Sequence, residues 1–245
     1  MPKRWTREEL LLALNLYHQT PFGRQHAKHP PIIELAQRLG RTPGSIAMKL
    51  SNFTYLDPAE GGKGLSGASQ LDRSIWDEFY QRHEALADES EPLIENPTIT
   101  TLKESFQPAG DSETTANVKV RRHQKFFRKA VLGSYGGVCC ISGNPVRKLL
   151  RASHIIPWRD SIEHRADPCN GLCLAASYDA AFDVGLITID DSFKMLVSEK
   201  LKEYRDNHEI STVFLAREHK AIILPEKNRP NPEFLQWHRD HRFLA

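Results

Sequence analysis

The chain is predicted to fold as an α+β protein in which a helical N-terminal unit precedes a mixed C-terminal unit, and three observations carry that prediction. Residues 6–87 place apolar side chains at helical spacing between recognisable caps. Residues 149–197 instead hold short β-branched and aliphatic runs broken by Gly, Pro and Asp-Asp-Ser turns. Charge is also partitioned: residues 1–58 carry 8 Lys/Arg against 4 Asp/Glu, residues 59–118 carry 4 against 12, and residues 119–245 carry 21 against 15. Two basic units separated by an acidic stretch fit a length of 245 residues, enough for two cores of about 100 residues each. The predicted division is therefore 1–87, an acidic linker at 88–118, and 119–245.

The first helix is announced by Thr6-Arg-Glu-Glu9, a capping box, with Trp5 and Leu10 placed to form a hydrophobic staple. Leu10, Leu11, Leu14 and Tyr17 give it one buried face. After a Pro/Gly/His-rich loop, Ile32, Ile33, Leu35, Ala36 and Leu39 form a second helix that stops at Gly40. Thr42 and Pro43 restart a third as cap and first-turn proline, and Ile46, Ala47, Leu50 and Phe53 line its apolar side. The stretch Glu34 to Phe53 is similar to a helix-turn-helix. That likeness implies double-stranded DNA as a partner, with Ser45, Lys49 and Asn52 on the reading side of the third helix and Arg41 near the phosphate backbone. A protein-docking bundle is the alternative. A Gly-rich loop at 59–70 leads to a fourth helix, Asp72 to Ala87, with Ile75, Trp76, Phe79, His83 and Leu86 inward.

The C-terminal unit opens with a basic helix, residues 121–132. Phe126, Phe127, Ala130 and Val131 form its core side, and Arg121, Arg122, Lys125, Arg128 and Lys129 face solvent or nucleic acid. Tyr135 to Gly143 reads as a strand entering a turn, Leu149 to Ile156 as a strand, and Gly171 to Leu174 as a short paired strand. Ser177 to Val184 reads as a helix ended by Gly185. Leu186–Asp190 and Phe193–Val197 form a hairpin, and Leu235 to Phe243 a final helix.

Chemistry concentrates between Arg151 and Asp190. His154 stands at a strand end, where an imidazole can accept a proton from water near neutral pH. Asn170 lies in the loop Asp-Pro-Cys-Asn-Gly, and Asp179 and Asp183 share one helix face, where hard oxygen donors suit Mg²⁺ or Mn²⁺. Through Ala-Ser-His154-Ile-Ile-Pro-Trp, Asn170-Gly-Leu-Cys-Leu and Asp179-Ala-Ala-Phe-Asp183, the segment resembles HNH endonucleases of the ββα-metal class. The likeness is greatest to bacterial proteins related to McrA-type restriction enzymes. It implies a metal-dependent DNA endonuclease in which His154 is the general base, Asn170 orients it and braces the loop, and Asp179 and Asp183 hold the metal. The family's spacing of nine and thirteen residues from the asparagine to the helix ligands agrees with Asn170, Asp179 and Asp183. Two positions depart from the pattern: Ser153 stands where many members place an acidic or histidine ligand, and Tyr178 where close relatives often carry histidine.

A restriction or defence role and sensitivity to modified cytosine follow from the resemblance only, and a homodimer is expected because cutting both strands takes two single-site domains. A DNA-binding protein with an impaired site, and a nuclease for RNA or structured junctions, remain as alternatives. The pairs Cys139-Cys140 and Cys169/Cys173 are poorly spaced for a structural zinc and are expected as buried free thiols. The start lacks an apolar leader and no run approaches the roughly 18 apolar residues of a membrane span, so a cytoplasmic protein without a membrane partner is expected.

Overall fold

The computed structural model describes residues 4–95 and 112–245, and the chain is α+β. It divides into two compact units, Met1–Phe126 and Phe127–Ala245. The first holds α1 (Arg7–Gln19), α2 (Pro30–Leu39), α3 (Pro43–Leu56), α4 (Gln70–Phe79) and α5 (His83–Glu95). The division falls within α6 (Ser112–Ser134).

Local rules account for most of these boundaries. Thr6 Oγ1 accepts from the Glu9 amide at 3.3 Å while the Thr6 amide donates to Glu9 Oε2 at 3.1 Å, so two helix-end donors are satisfied at once. Gly40 ends α2 at φ 60°, a left-handed conformation that a side chain would strain. Leu10, Leu14, Tyr17, Ile46, Leu50, Phe53, Ile75 and Phe79 are all buried, and the Tyr17 ring meets Phe53 and Trp76 at 6.0 and 5.8 Å.

Two expectations change here. The single helix expected over 72–87 is broken into α4 and α5 by a turn in which Gln81 takes φ 59°. Phe79 and Leu86 stay buried on either side of it, so the apolar spacing survives the break. The expected linker begins inside α5, and its residues 96–111 lie outside the described part. Helix α5 is acidic because it neutralises α6: Asp88 meets His123 at 3.0 Å, Glu95 meets Arg122 at 3.8 Å and Lys125 at 3.2 Å, and buried Glu91 meets Lys125 at 3.5 Å. Arg122 and Lys125 are therefore engaged by carboxylates of their own chain, which corrects the reading of them as open to nucleic acid.

In the second unit, β1 (Leu150–His154) and β2 (Gly171–Ala175) pair antiparallel with Ser153 opposite Leu172 and His154 opposite Gly171. Helix α7 (Ala176–Asp183) follows, then the hairpin β3 (Ile187–Ile189) and β4 (Met195–Val197), α8 (Glu199–Lys202) and α9 (Pro232–His241). The expected strand at 135–143 is a series of turns instead, with Gly136, Gly137 and Gly143 at positive φ. Cysteines 139, 140 and 173 are buried free thiols, and burial pushes Cys173 up to about 12. No helix among the described residues is long and apolar enough to cross a membrane.

His238 latches α9 onto the domain. Its ring stacks on Phe182 at 3.7 Å, Nε2 donates to the Phe182 carbonyl at 3.0 Å, and Nδ1 accepts from the Thr188 hydroxyl at 2.9 Å. Burial lowers its pKa from 6.5 to about 4. Because the folded value lies below the unfolded one, stability is complete above about pH 6.5 and declines as pH falls toward 4, where the proton must enter a filled site. Denaturant titrations at pH 7.5 and 4 are expected to differ by about 3 kcal/mol from this residue alone, and His238→Gln is expected to flatten that difference. An unchanged pH slope in the variant would remove His238 as its source.

Candidate active site

The end of β1 presents His154 as a half-buried imidazole held on three sides. Phe127 stacks on it at 3.8 Å and 10°, Trp158 meets it edge-on at 5.6 Å, and Nε2 lies 2.9 Å from the Arg165 carbonyl oxygen. A carbonyl only accepts, so the nitrogen facing it carries the hydrogen and Nδ1 keeps the lone pair. Burial lowers the His154 pKa, opposed by the bond to Arg165, which favours the neutral, basic form near pH 7.

Asn170 acts one step away from that ring. Its Oδ1 accepts from the Ile156 amide at 2.8 Å, and Nδ2 donates to the carbonyls of Ile156 and His164, both at 3.1 Å. Its own carbonyl accepts from the Ile155 amide at 2.9 Å. All of this lies inside the structure, since Asn170 is only 1% exposed. The side chain thus ties both ends of the loop running from His154 to Arg165, and the acceptor for Nε2 is fixed through that loop, with no direct bond from Asn170 to the imidazole.

Next to Asn170, Gly171 lets α6 approach the hairpin. A Cβ there would lie 2.3 Å from Val131 Cγ2 and 3.0 Å from Phe127 Cζ. Gly171→Ala is expected to cost about 1–3 kcal/mol by overpacking and to lower turnover by displacing the ring beneath His154. Chemical denaturation beside single-turnover kinetics checks this; a variant with wild-type stability and rate would show that α6 gives way freely.

Asp179 and Asp183 occupy one side of α7, as their spacing predicts. Burial raises the pKa of each, and Asp179 raises that of Asp183 further, so the two charges are close enough to repel. The hydroxyl of Ser153, the residue before His154, lies beside Asp179 and holds its pKa down, as does the charge of Arg151. Ser153 is 3% exposed, and its Oγ makes no hydrogen bond of ordinary length. Among the described residues no three His, Cys, Asp or Glu side chains converge on one point. Asp179, Asp183 and the Ser153 hydroxyl are the candidate oxygen donors for a cation here.

Tyr178 is turned the other way. Its hydroxyl donates to the Val213 carbonyl at 2.7 Å and its ring packs edge-on against Phe214, so the departure noted in the sequence is a core contact. Two parts of the site had no sequence signal of their own: the Arg165 carbonyl, which any residue would supply, and Phe127, whose period marked it only as core. Arg165 itself is tied back, donating from Nε to the Trp158 carbonyl at 2.7 Å.

The four N-terminal candidates lie in the other unit and are placed differently from the expectation. Lys49 Nζ meets both oxygens of Asp72, at 2.8 and 2.7 Å, with Asp72 fully buried. Arg41 pairs with Glu9 at 2.6 Å and lies over the Trp5 ring at 4.0 Å. Asn52 is 5% exposed, with Nδ2 3.5 Å from the Gly67 carbonyl. Ser45 is half-buried, its amide donating to the Thr42 cap at 3.2 Å. The α3 face expected to read bases thus packs on α1 and α4, with Lys49 held by the buried Asp72.

A two-stranded hairpin leads into a helix, with a histidine at the first strand end, an asparagine at the hairpin's return and two carboxylates on the helix, and together they form a ββα unit. Residues 139–190 match the family model described as HNH endonuclease, so this segment is similar to an HNH endonuclease domain. No curated protein matches the chain.

Proposed function

We propose that the protein is a divalent-metal-dependent endonuclease that hydrolyses phosphodiester bonds in DNA. The observation that carries this reading is the fixed tautomer of His154, which leaves Nδ1 as a base on the hairpin that also bears Ser153. In this role Nδ1 removes the proton from the attacking water. Asn170 keeps the loop and its Arg165 carbonyl in place, so the ring does not turn away when it becomes charged. Phe127 limits its motion further.

The donors at α7 fit a hard cation. Two carboxylates that repel each other, and a buried hydroxyl beside Asp179 with no hydrogen bond of ordinary length, form an oxygen set suited to Mg²⁺ or Mn²⁺. Held there, the ion would stabilise negative charge on the phosphate and on the departing oxygen. Ser153→Ala is expected to weaken Mn²⁺ binding by about tenfold, and Ser153→Asp to strengthen it by adding an anionic donor. Calorimetric titration of each variant with Mn²⁺ reads this directly; equal affinities across the series would exclude Ser153 from the site.

The deciding assay is incubation of matched unmodified and cytosine-modified plasmid with Mg²⁺, Mn²⁺ or EDTA. Metal-dependent nicking supports the reading. Binding without cutting would instead make this a DNA-binding protein with an impaired site, and cutting confined to RNA or junctions would change the substrate. A defence role against modified DNA rests on the McrA-type likeness, and a greater response to the modified plasmid supports it. One site cuts one strand, so double-strand breaks would call for a homodimer.

For the first unit, α3 favours a second reading. Its exposed stripe includes Gly44, Met48 and Tyr55, with Met48 at 52% and Tyr55 at 40%, which suits docking to a protein better than reading base edges. Full-length Met48→Asp that keeps its affinity for duplex DNA supports docking; lost affinity returns the helix to DNA.

A further inference from the structure

Immediately before β1, the chain runs Pro145-Val-Arg-Lys-Leu149 over the surface, with Arg147 to Leu149 in a single 3-10 turn. Arg147, Lys148 and Arg151 are exposed, and so are Val146 at 51% and Leu149 at 50%. Arg151 is two residues from Ser153 and therefore on the same strand face.

These cations differ from others in the molecule in what they touch. In the second unit Lys202 pairs with Glu218 at 2.7 Å and Arg242 with Asp160 at 2.9 Å, while Arg239 is held by Asp191. In the first unit, Arg122 and Lys125 of α6 are held by α5. Among the described residues, no carboxylate forms an ion pair with Arg147, Lys148 or Arg151. Arg151 donates to two neutral carbonyls, Lys148 O at 3.3 Å and Leu150 O at 3.2 Å. The segment is nonetheless anchored, because both terminal nitrogens of Arg128 donate to the Leu150 carbonyl at 3.1 Å.

We infer that Arg147, Lys148 and Arg151 form a phosphate subsite that holds the DNA backbone beside the scissile bond. The inference rests on the nuclease reading above and extends it to how substrate is positioned. A face built around Asp179 and Asp183 repels a polyanion, so phosphates flanking the cut need a source of positive charge close by. The turn supplies it on a braced segment continuous with the strand that carries Ser153 and His154. Arg151 meets the phosphate nearest the aspartates, Arg147 and Lys148 meet those further along, and Val146 and Leu149 lie against the sugars between them.

The test is fluorescence anisotropy of the full-length chain with a labelled 20-base-pair duplex in EDTA, repeated over a series of NaCl concentrations, beside plasmid cleavage with Mn²⁺. The triple variant Arg147→Ala/Lys148→Ala/Arg151→Ala is expected to bind about tenfold or more weakly at ~0.1 M salt, and to lower the slope of log K against log salt by about 2 to 3. Arg151→Lys, which keeps the charge, is expected to keep the slope, and the exposed pair Lys200→Ala/Arg205→Ala should leave it unchanged. A triple variant with wild-type affinity and slope, in a protein that still cuts plasmid, overturns the subsite and leaves the nuclease reading intact. A slope lowered equally by the Lys200/Arg205 pair also overturns it, since the effect would then be one of net charge. Wild type that neither binds nor cuts DNA overturns both.

Discussion

Replacing His154 with alanine is expected to reduce plasmid cleavage by about 10² to 10⁴, the usual contribution of a positioned general base. Without the imidazole, water must lose its proton to solvent while attacking the phosphate. The change leaves Asp179, Asp183 and Ser153 in place, so Mn²⁺ affinity should stay within about twofold of wild type, the loss being in chemistry rather than in metal binding. The ring is stacked on Phe127 at 3.8 Å, so its removal also costs packing, and thermal denaturation must accompany the kinetics. His154→Gln, closer in volume, separates the effects: it should recover stability and stay inactive. A His154→Gln enzyme cutting at more than about a tenth of the wild-type rate would remove His154 from the base role.

The second large effect concerns Lys49. Its ammonium lies between the two oxygens of a buried carboxylate, 2.8 and 2.7 Å away, and 5.1 Å from the Trp5 ring centre. Breaking such a pair leaves Asp72 buried without its counter-charge, at a cost of about 3–5 kcal/mol. Lys49→Ala is therefore expected to destabilise the first unit severely, with the loss read as a lower midpoint in urea. Lys49→Met with Asp72→Asn, which removes both charges, should be far milder. If Lys49→Ala keeps its midpoint and loses only DNA affinity, the pair is dispensable and the reading-helix expectation returns.

The contrast between these residues shows which signals survive folding. The placement of His154, Asn170, Asp179 and Asp183 was legible because it depends on spacing along one supersecondary unit: a hairpin and helix hold residues at fixed offsets whatever surrounds them. Lys49, Arg41 and Asn52 are placed differently from the reading-helix expectation for the opposite reason. Helical period assigns a face, but a long aliphatic stem carries a charge several ångströms from its Cα, and a carboxylate 23 residues away in sequence decides where that charge rests. The acidic stretch was likewise read from composition as a linker. Its first part is a helix because its carboxylates meet the basic side of α6, a pairing that composition does not register.

By itself, the sequence determined the α+β class, the caps and breaks of most helices, and the places of His154, Asn170, Asp179 and Asp183 on the β1–β2–α7 unit. These depend on local dihedral preferences and short-range spacing. Only the tertiary structure decided which nitrogen of His154 is basic, that Asn170 acts on it through a loop, that Ser153 is the unpartnered donor beside Asp179, and that Tyr178 belongs to the core. It also decided which cations are already neutralised within the chain and which, at Arg147, Lys148 and Arg151, lack a carboxylate partner. The physical reason is common to all of these: hydrogen-bond and ion-pair partners are chosen by proximity in space, and burial sets how much each choice is worth.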